Sequence, residues 1–187
     1  TVQATGTRAV VQFHQKDSHG KWHKVFDVKG FIGYGGLINP NYRHEGDGTT
    51  PTGVYDFGQA FGVASNPGTK VPYTQLTWHH WWVGDSHSKY FNTLQDRRKT
   101  GKYWSTAGGE PIIDKPDAYQ YGIAINFNMN RNTAYRGWGI HFHCSDHLKH
   151  ATAGCIGIPS NYMREFLQQV EPGAKIVISS PNGIYNY

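Results

Sequence analysis

Short segments in which apolar and polar residues alternate, separated by glycine-rich turns, recur along this chain and constrain its fold. Ala9–His14 and Trp22–Val28 alternate on either side of Asp17–Gly20, whose Asp and Gly favour a turn, so we predict a β-hairpin. Val54–Phe57 and Tyr121–Phe127 predict further strands. The 12 Tyr, 9 Phe and 6 Trp outnumber the 18 basic and the 13 acidic residues, and 23 glycines supply turns. We therefore expect a mainly β (β-rich α+β) fold around an aromatic core.

The second half of the chain predicts two more strands and one helix. Trp138–Cys144 and Lys175–Ser179 have the composition of strands, whereas Asn161–Val170 carries one apolar stripe at helical spacing. Ser160 is expected to N-cap this helix. Residues 58–116 are dominated by loop signals and aromatic side chains. This stretch is expected either to seal a sheet edge or to form the wall of a substrate groove.

Length and charge exclude several classes of protein. The 187 residues predict one domain, 1–187, in which 1–29 form an N-terminal hairpin. The net charge of +5 is mild and the basic run at Arg97–Lys99 is short, so we expect no nucleic-acid partner. No stretch approaches the roughly 18 apolar residues of a transmembrane helix. The sequence does not open with a basic and then apolar leader at Thr1, so we expect that the signal of an exported protein has been removed from it. We also expect a monomer.

Histidine and cysteine concentrate in one short stretch. Four of the 11 histidines and both cysteines lie between His141 and Cys155. In a strand, His141 and His143 would share one face, while Phe142 and Cys144 would face the other way. Cys144 is therefore expected to be a small buried apolar residue rather than a reactive thiol.

Cys155 has the surroundings of a nucleophile. Gly154 before it leaves room for a substrate carbonyl and for backbone amides that point at an oxyanion. A thiol needs a neighbouring base at neutral pH, and His143 lies 12 residues earlier. Two other interpretations use the same residues: a Cys144–Cys155 disulfide, or a zinc site. Its ligands would come from a cysteine and the four histidines His141, His143, His147 and His150.

The stretch from His143 through Thr152-Ala153-Gly154-Cys155 resembles the catalytic signature of the L,D-transpeptidase catalytic domain (YkuD-like) family, in its Thr-Ala-Gly-Cys subgroup. In that family a histidine precedes a [Ser/Thr]-x-Gly-Cys motif. Three earlier segments match family patterns in the same order, so the resemblance covers about residues 30–178. They are Glu45–Tyr55, Trp82–Asp85 with Tyr90–Asn92, and Tyr121–Asn128. The resemblance implies a β-sandwich with long loops, one helix near its C-terminal side and the cysteine in a groove.

The resemblance also implies roles for individual residues. Cys155 would be the nucleophile and His143 the general base, because the family form with F-[LF]-H and a short spacing aligns His143 rather than His141. Gly154 and Cys155 would supply oxyanion-hole amides, and the Thr152 hydroxyl would shape that loop. The side chains that would contact substrate are His141, Tyr121 and Trp82.

Two positions depart from the common family pattern. Ala153 replaces a histidine, and Gly157 replaces an arginine or asparagine that often follows the cysteine. The second change removes one cation that could bind a substrate carboxylate.

The activity that the resemblance implies is acyl transfer on peptidoglycan stem peptides through a Cys155 thioester. An amine acceptor would give a 3-3 type cross-link or another amide, in cell-wall biogenesis and cell shape. Water as acceptor would make the protein an L,D-carboxypeptidase. A third alternative is a non-catalytic wall-binding module whose aromatic loops bind glycan. We expect no cofactor, no metal and an extracytoplasmic location.

Overall fold

The computed structural model describes residues 1–187 and is mainly β, with 36% strand and 19% helix, which confirms the predicted class. Six short 3-10 turns lie in the connections. The strands are β1 (Val2–Thr5), β2 (Arg8–Lys16), β3 (Trp22–Phe31), β4 (Leu37–Ile38), β5 (Thr50–Pro51), β6 (Gly53–Gly62), β7 (Tyr73–Gln75), β8 (His80–Val83), β9 (Thr93–Asp96), β10 (Gly109–Glu110), β11 (Gly122–Ile125), β12 (His141–Cys144), β13 (Ile156–Ile158) and β14 (Lys175–Ser179), and the α-helices are α1 (Arg97–Thr100) and α2 (Ser160–Gln169).

Nine strands form one sheet in the order β11-β12-β13-β3-β2-β1-β14-β6-β7. β11 also pairs with β6, so eight of these strands form a closed ring and only β7 lies outside it. Most neighbours are antiparallel, whereas β12 and β13 are parallel. Two further pairs of the sheet, β1–β14 and β6–β7, are also parallel. The β12–β13 pair carries the histidine and cysteine motifs, because Cys155 immediately precedes β13.

The N-terminal hairpin is confirmed and belongs to this sheet. β2 and β3 pair from Arg8↔Phe31 to Lys16↔Trp22. The turn is held by the Asp17 carboxylate, which accepts hydrogen bonds from the backbone N–H groups of His19 and Lys21 at 2.9 Å. The hairpin reaches the site through β3, which pairs with β13 at Gly157.

The predicted helix is confirmed, but its predicted cap is wrong. α2 begins at Ser160, so Pro159 is the capping residue and no side chain of that residue can accept a hydrogen bond. The Ser160 N–H donates instead to the Asp146 carboxylate at 2.8 Å, so a residue distant in the chain does the capping. The buried face of α2 carries Met163, Phe166 and Leu167, and Phe166 packs edge-on to Phe142 of β12.

Twenty-one buried residues form the larger core, and Cys144 is one of them with no exposed surface, as predicted. Its burial raises the pKa of the thiol to about 12. A second core has eight residues, of which five lie in residues 58–116, the region predicted as a long loop. There β8, β9 and β10 form a separate three-stranded sheet, whose strands of two to four residues are too short for a recognisable alternation. Trp82 and Trp104 are buried while Trp78 is exposed, so this region mainly seals the sheet.

None of the helices has the length and apolar character that crossing a membrane would require.

Candidate active site

The register of β12 against β13 brings the histidine and cysteine motifs together. Parallel pairing aligns Phe142 with Ile156 and His143 with Gly157, which sets His141 beside Cys155. Phe142 and Ile156 point into the larger core. Since side chains alternate along a strand, His141, His143 and Cys155 share the opposite face.

The Cys155 sulphur is held by backbone groups of the segment that leads into β12. The His141 N–H donates to Sγ at 3.3 Å, and Sγ lies 3.5 Å from the Gly139 carbonyl oxygen, to which the thiol can donate. Burial raises the pKa of the Cys155 thiol to about 11, although the His141 N–H opposes this shift. The residue keeps partial exposure, in contrast to Cys144. Cys155 is therefore protonated at neutral pH, on a residue that remains partly exposed.

His143 is held in one tautomer. Its Nδ1 lies 2.8 Å from the Cys144 carbonyl oxygen, and because a carbonyl only accepts, the proton is on Nδ1. Nε2 then carries the lone pair, and it makes no hydrogen bond with another protein group. Burial lowers the pKa of His143 to about 4, so the ring is neutral at pH 7. A neutral imidazole with a free Nε2 is the form that a general base requires.

Tyr119 connects the two histidines, although sequence analysis assigned it no role. Its hydroxyl lies 3.1 Å from His141 Nδ1, and its ring packs edge-on to His143 with centroids 5.3 Å apart. Burial and, second, the neighbouring Cys155 raise the pKa of Tyr119 well above its usual value, so it stays a neutral phenol. The pKa of His141 is lowered well below its usual value, first by burial and second by the neighbouring His143.

The loop before Cys155 is closed by the Thr152 side chain. Its hydroxyl donates to the Cys155 carbonyl at 2.6 Å and accepts from the Gly154 N–H at 3.1 Å. The Gly154 amide is therefore already engaged, which argues against its predicted place in an oxyanion hole. The Cys155 N–H makes no hydrogen bond within the protein and remains free to serve there.

The glycine-rich segment at 45–53 supports this loop from the other side. Thr50 donates from its hydroxyl to the Gly154 carbonyl at 2.8 Å and accepts from the Gly33 N–H at 2.9 Å. Gly154 has φ +134°, and a Cβ there would lie 2.9 Å from the Thr49 carbonyl oxygen. The two motifs, about 100 residues apart in sequence, thus form one structural unit.

The three side chains predicted to contact substrate do not line an open surface. His141 is 1% exposed and Trp82 is 4% exposed, and their rings pack edge-on with centroids 4.3 Å apart. Tyr121 packs against the larger core. Gly122 is paired with His143, so Tyr121, one residue earlier, lies on the opposite face of the sheet. None of the three can touch a peptide beside Cys155 without rearrangement of its neighbours. Trp82 instead donates from Nε1 to Asn92, which also accepts the Gly139 N–H.

The arrangement of the cysteines and histidines supports neither the disulfide nor the zinc site. Cys144 and Cys155 are both free thiols, so the disulfide is not formed. No three side chains among His, Cys, Asp and Glu come together in a way that would hold a metal ion. The zinc interpretation therefore lacks a ligand set.

Arg43 is the second residue near the site to which the sequence analysis assigned no role. Its guanidinium is buried behind the Cys155 loop, donates from Nε to the Thr49 carbonyl at 3.1 Å, and also donates to the Arg136 carbonyl. The available sequence signal was that Arg43 lies two residues before the Glu45–Tyr55 motif. Because charged residues are rarely buried, nothing in the sequence indicated that Arg43 is buried.

Comparison with protein-family models gives one match. The model of the L,D-transpeptidase catalytic domain (YkuD) matches residues 13–178, which extends the resemblance expected from the motifs into the N-terminal hairpin. No curated protein and no solved structure matched the chain. Because the matched region covers most of the 187 residues and contains the whole cysteine and histidine site, the chain belongs to the L,D-transpeptidase catalytic domain (YkuD) family.

Proposed function

We propose that this enzyme of the L,D-transpeptidase family transfers acyl groups of peptidoglycan stem peptides through a thioester on Cys155. The observation that carries the proposal is the shared face of β12 and β13, which presents the partly exposed Cys155 and a neutral histidine, His143, whose Nε2 is free. Thiols and imidazoles in this arrangement perform acyl transfer without a cofactor.

In the proposed first half-reaction, Cys155 Sγ attacks the carbonyl of the L-centred third stem residue. His143 Nε2 takes the thiol proton as the C–S bond forms. When the C–N bond breaks, the same proton passes to the leaving D-Ala amine. The free Cys155 N–H stabilises the oxyanion, a contribution of about 10²–10³ in rate in other enzymes.

In the second half-reaction an acceptor attacks the thioester and His143 removes its proton. As the C–S bond breaks, this proton returns to Cys155 Sγ, so both residues regain their starting state. An amine from a neighbouring stem gives a 3-3 cross-link, whereas water releases a tripeptide and makes the enzyme an L,D-carboxypeptidase. Domains of this family are typically extracytoplasmic cell-wall enzymes. The proposal includes that location for this protein and a monomeric state, since the site is formed by one chain.

Acylation of a single cysteine tests the nucleophile. Incubation with a stem tetrapeptide or a carbapenem is expected to add one acyl group to the wild type and to Cys144→Ala, but none to Cys155→Ala. Intact-mass spectrometry measures the adduct. Cys144→Ala is the matched control, because Cys144 is the one other thiol and lies in the core. An adduct that persists on Cys155→Ala contradicts the assignment.

Chromatography of the muropeptides then separates the reactions. Dimers indicate transpeptidation, and tripeptides alone indicate carboxypeptidase activity. Equal retention of wild type and Cys155→Ala on sacculi, with unchanged muropeptides, would favour a wall-binding module instead.

A further inference from the structure

The Arg43 guanidinium occupies a cradle that two glycines leave open. A Cβ on Gly137 would overlap Nη1, and a Cβ on Gly154 would lie 3.1 Å from Nη2. Both glycines have positive φ, +88° and +134°. Phe127 covers the guanidinium with its ring centroid 5.4 Å from the central carbon. The chain therefore makes room for a cation directly behind the residue that precedes Cys155.

This cation is poorly neutralised by the protein. Arg43 is 3% exposed, yet the nearest carboxylate, that of Asp47, is 4.0 Å away and is already bound to the N–H and hydroxyl of Thr49. The two hydrogen bonds from the guanidinium go to backbone carbonyls, from Nε and Nη1. Burying an ionised group without a hydrogen-bonded counterion is costly.

One nitrogen of the guanidinium remains available to a ligand. Nη2 makes no hydrogen bond with the protein, and it is not among the buried polar atoms that lack a partner, so solvent reaches it. Because Nε and Nη1 are engaged, the two N–H groups of Nη2 are the donors left for a carboxylate. The charge of Arg43 also lowers the pKa of Cys155, which places the two groups within electrostatic reach of each other.

From this geometry we infer that Arg43 binds the carboxylate of the acyl donor, namely the free C-terminal carboxylate of the leaving residue. The inference rests on the proposed function. Nη2 lies beside Gly154, the residue that precedes Cys155, and in a stem tetrapeptide the free carboxylate lies one residue beyond the scissile carbonyl.

Arg43 brings its charge to the Cys155 loop from a distant part of the chain, the loop before the Glu45–Tyr55 motif. Arg43 is thus a specificity-determining residue for donors that end in a carboxylate.

The test compares two donors, a stem tetrapeptide ending in D-Ala and the same peptide ending in D-alaninamide. The wild type is expected to be acylated about 10- to 100-fold faster by the carboxylate, the range for one charged hydrogen-bonded contact. In Arg43→Gln the ratio of the two rates is expected to fall to near one, on top of any slowing common to both donors from loss of the charge near Cys155, and Arg43→Lys is expected to restore part of the ratio. Arg131→Gln, an exposed arginine, is the control for loss of charge and should keep the preference.

A purely structural role for Arg43 would slow both donors equally, and that result overturns the inference. Equal reaction of the wild type with both donors also overturns the inference. This comparison needs no variant, so it remains valid even if Arg43→Gln misfolds.

A binding measurement separates this inference from the proposed function. N-acetyl-D-alanine is expected to bind the wild type and N-acetyl-D-alaninamide is not, as followed by NMR chemical shifts. If neither tetrapeptide acylates Cys155 but this difference is present, the proposed function fails and the carboxylate site stands. Equal binding of the two small molecules overturns the site.

Discussion

Cys155 and His143 are both neutral in the free protein. Burial raises the pKa of one and lowers the pKa of the other, so an ion pair between thiolate and imidazolium is disfavoured before substrate binds. The His141 N–H on Sγ and the charge of Arg43 lower the cost of forming the thiolate without removing it. Proton transfer to His143 is therefore expected to accompany attack on the substrate.

Alkylation by iodoacetamide measures this state of Cys155. With the Cys144→Ala variant as the single-thiol protein, the rate at pH 7 is expected to be about ten-fold below that of a small free thiol with a pKa of about 8.5. It should still be rising at pH 9, because the thiol has a pKa of about 11. In denaturant the rate should approach that of the free thiol. A rate that is constant between pH 6 and pH 8 would indicate a preformed thiolate and contradict the expectation.

At the level of elements, the active site depends on how the Cys155 loop is fixed between the 45–53 segment and β13. Thr152 closes the loop from within, and Thr50 holds it from outside. Both hydroxyls bind Gly154, whose positive φ is a backbone conformation that residues with a side chain rarely adopt.

Gly154→Ala tests this unit against a matched glycine. The substitution is expected to destabilise the fold by about 1–3 kcal/mol and to reduce acylation at least 100-fold, because it adds a clash with the Thr49 carbonyl to the strain of positive φ. Gly68 also has positive φ, +98°, but a Cβ there meets nothing within 4 Å. Gly68→Ala should therefore show the strain alone and keep full activity. Thermal unfolding and acylation rate are the measurements, and equal effects of the two substitutions would argue against a packed loop.

Element by element, the sequence predicted what depends on local pattern. The β2–β3 hairpin, β14 and α2 follow from alternation or helical spacing within one segment, and the face of Cys144 follows from alternation along β12. The cap of α2 was not predictable, because its acceptor is Asp146, 14 residues earlier. Arg43 and Tyr119 acquire their places only through contacts between distant loops, which no local pattern encodes.

For the whole molecule, two buried neutral histidines couple stability to pH. The pKa values of His141 and His143 are lowered on folding, that of His143 to about 4, while the unfolded chain titrates near 6.5. Below pH 6.5 the unfolded state therefore binds more protons than the folded state, so stability falls as pH decreases. Above pH 6.5 these two groups contribute no pH dependence.

Thermal unfolding between pH 4 and pH 8 checks this coupling. Each histidine is expected to cost about 1.4 kcal/mol per pH unit between pH 6.5 and its folded pKa. His143→Gln should reduce the slope of stability against pH in this window, whatever its effect on absolute stability. His150→Gln, an exposed histidine, should leave the slope unchanged. An unaltered slope in His143→Gln would contradict the burial of a neutral ring.

The closed ring of strands also sets when the active site can exist during folding. β13 pairs with β3, β11 pairs with β6, and β1 pairs with β14, so every closing contact joins distant parts of the chain. Such non-local topologies fold slowly, typically in milliseconds to seconds for small domains. The β11–β12–β13 unit forms between neighbouring segments, but it joins the ring only through β3 and β6. A chain in which these distant contacts have not formed would therefore carry the nucleophile without the strands that support its loop, which would delay acylation of the thiol until the ring has closed.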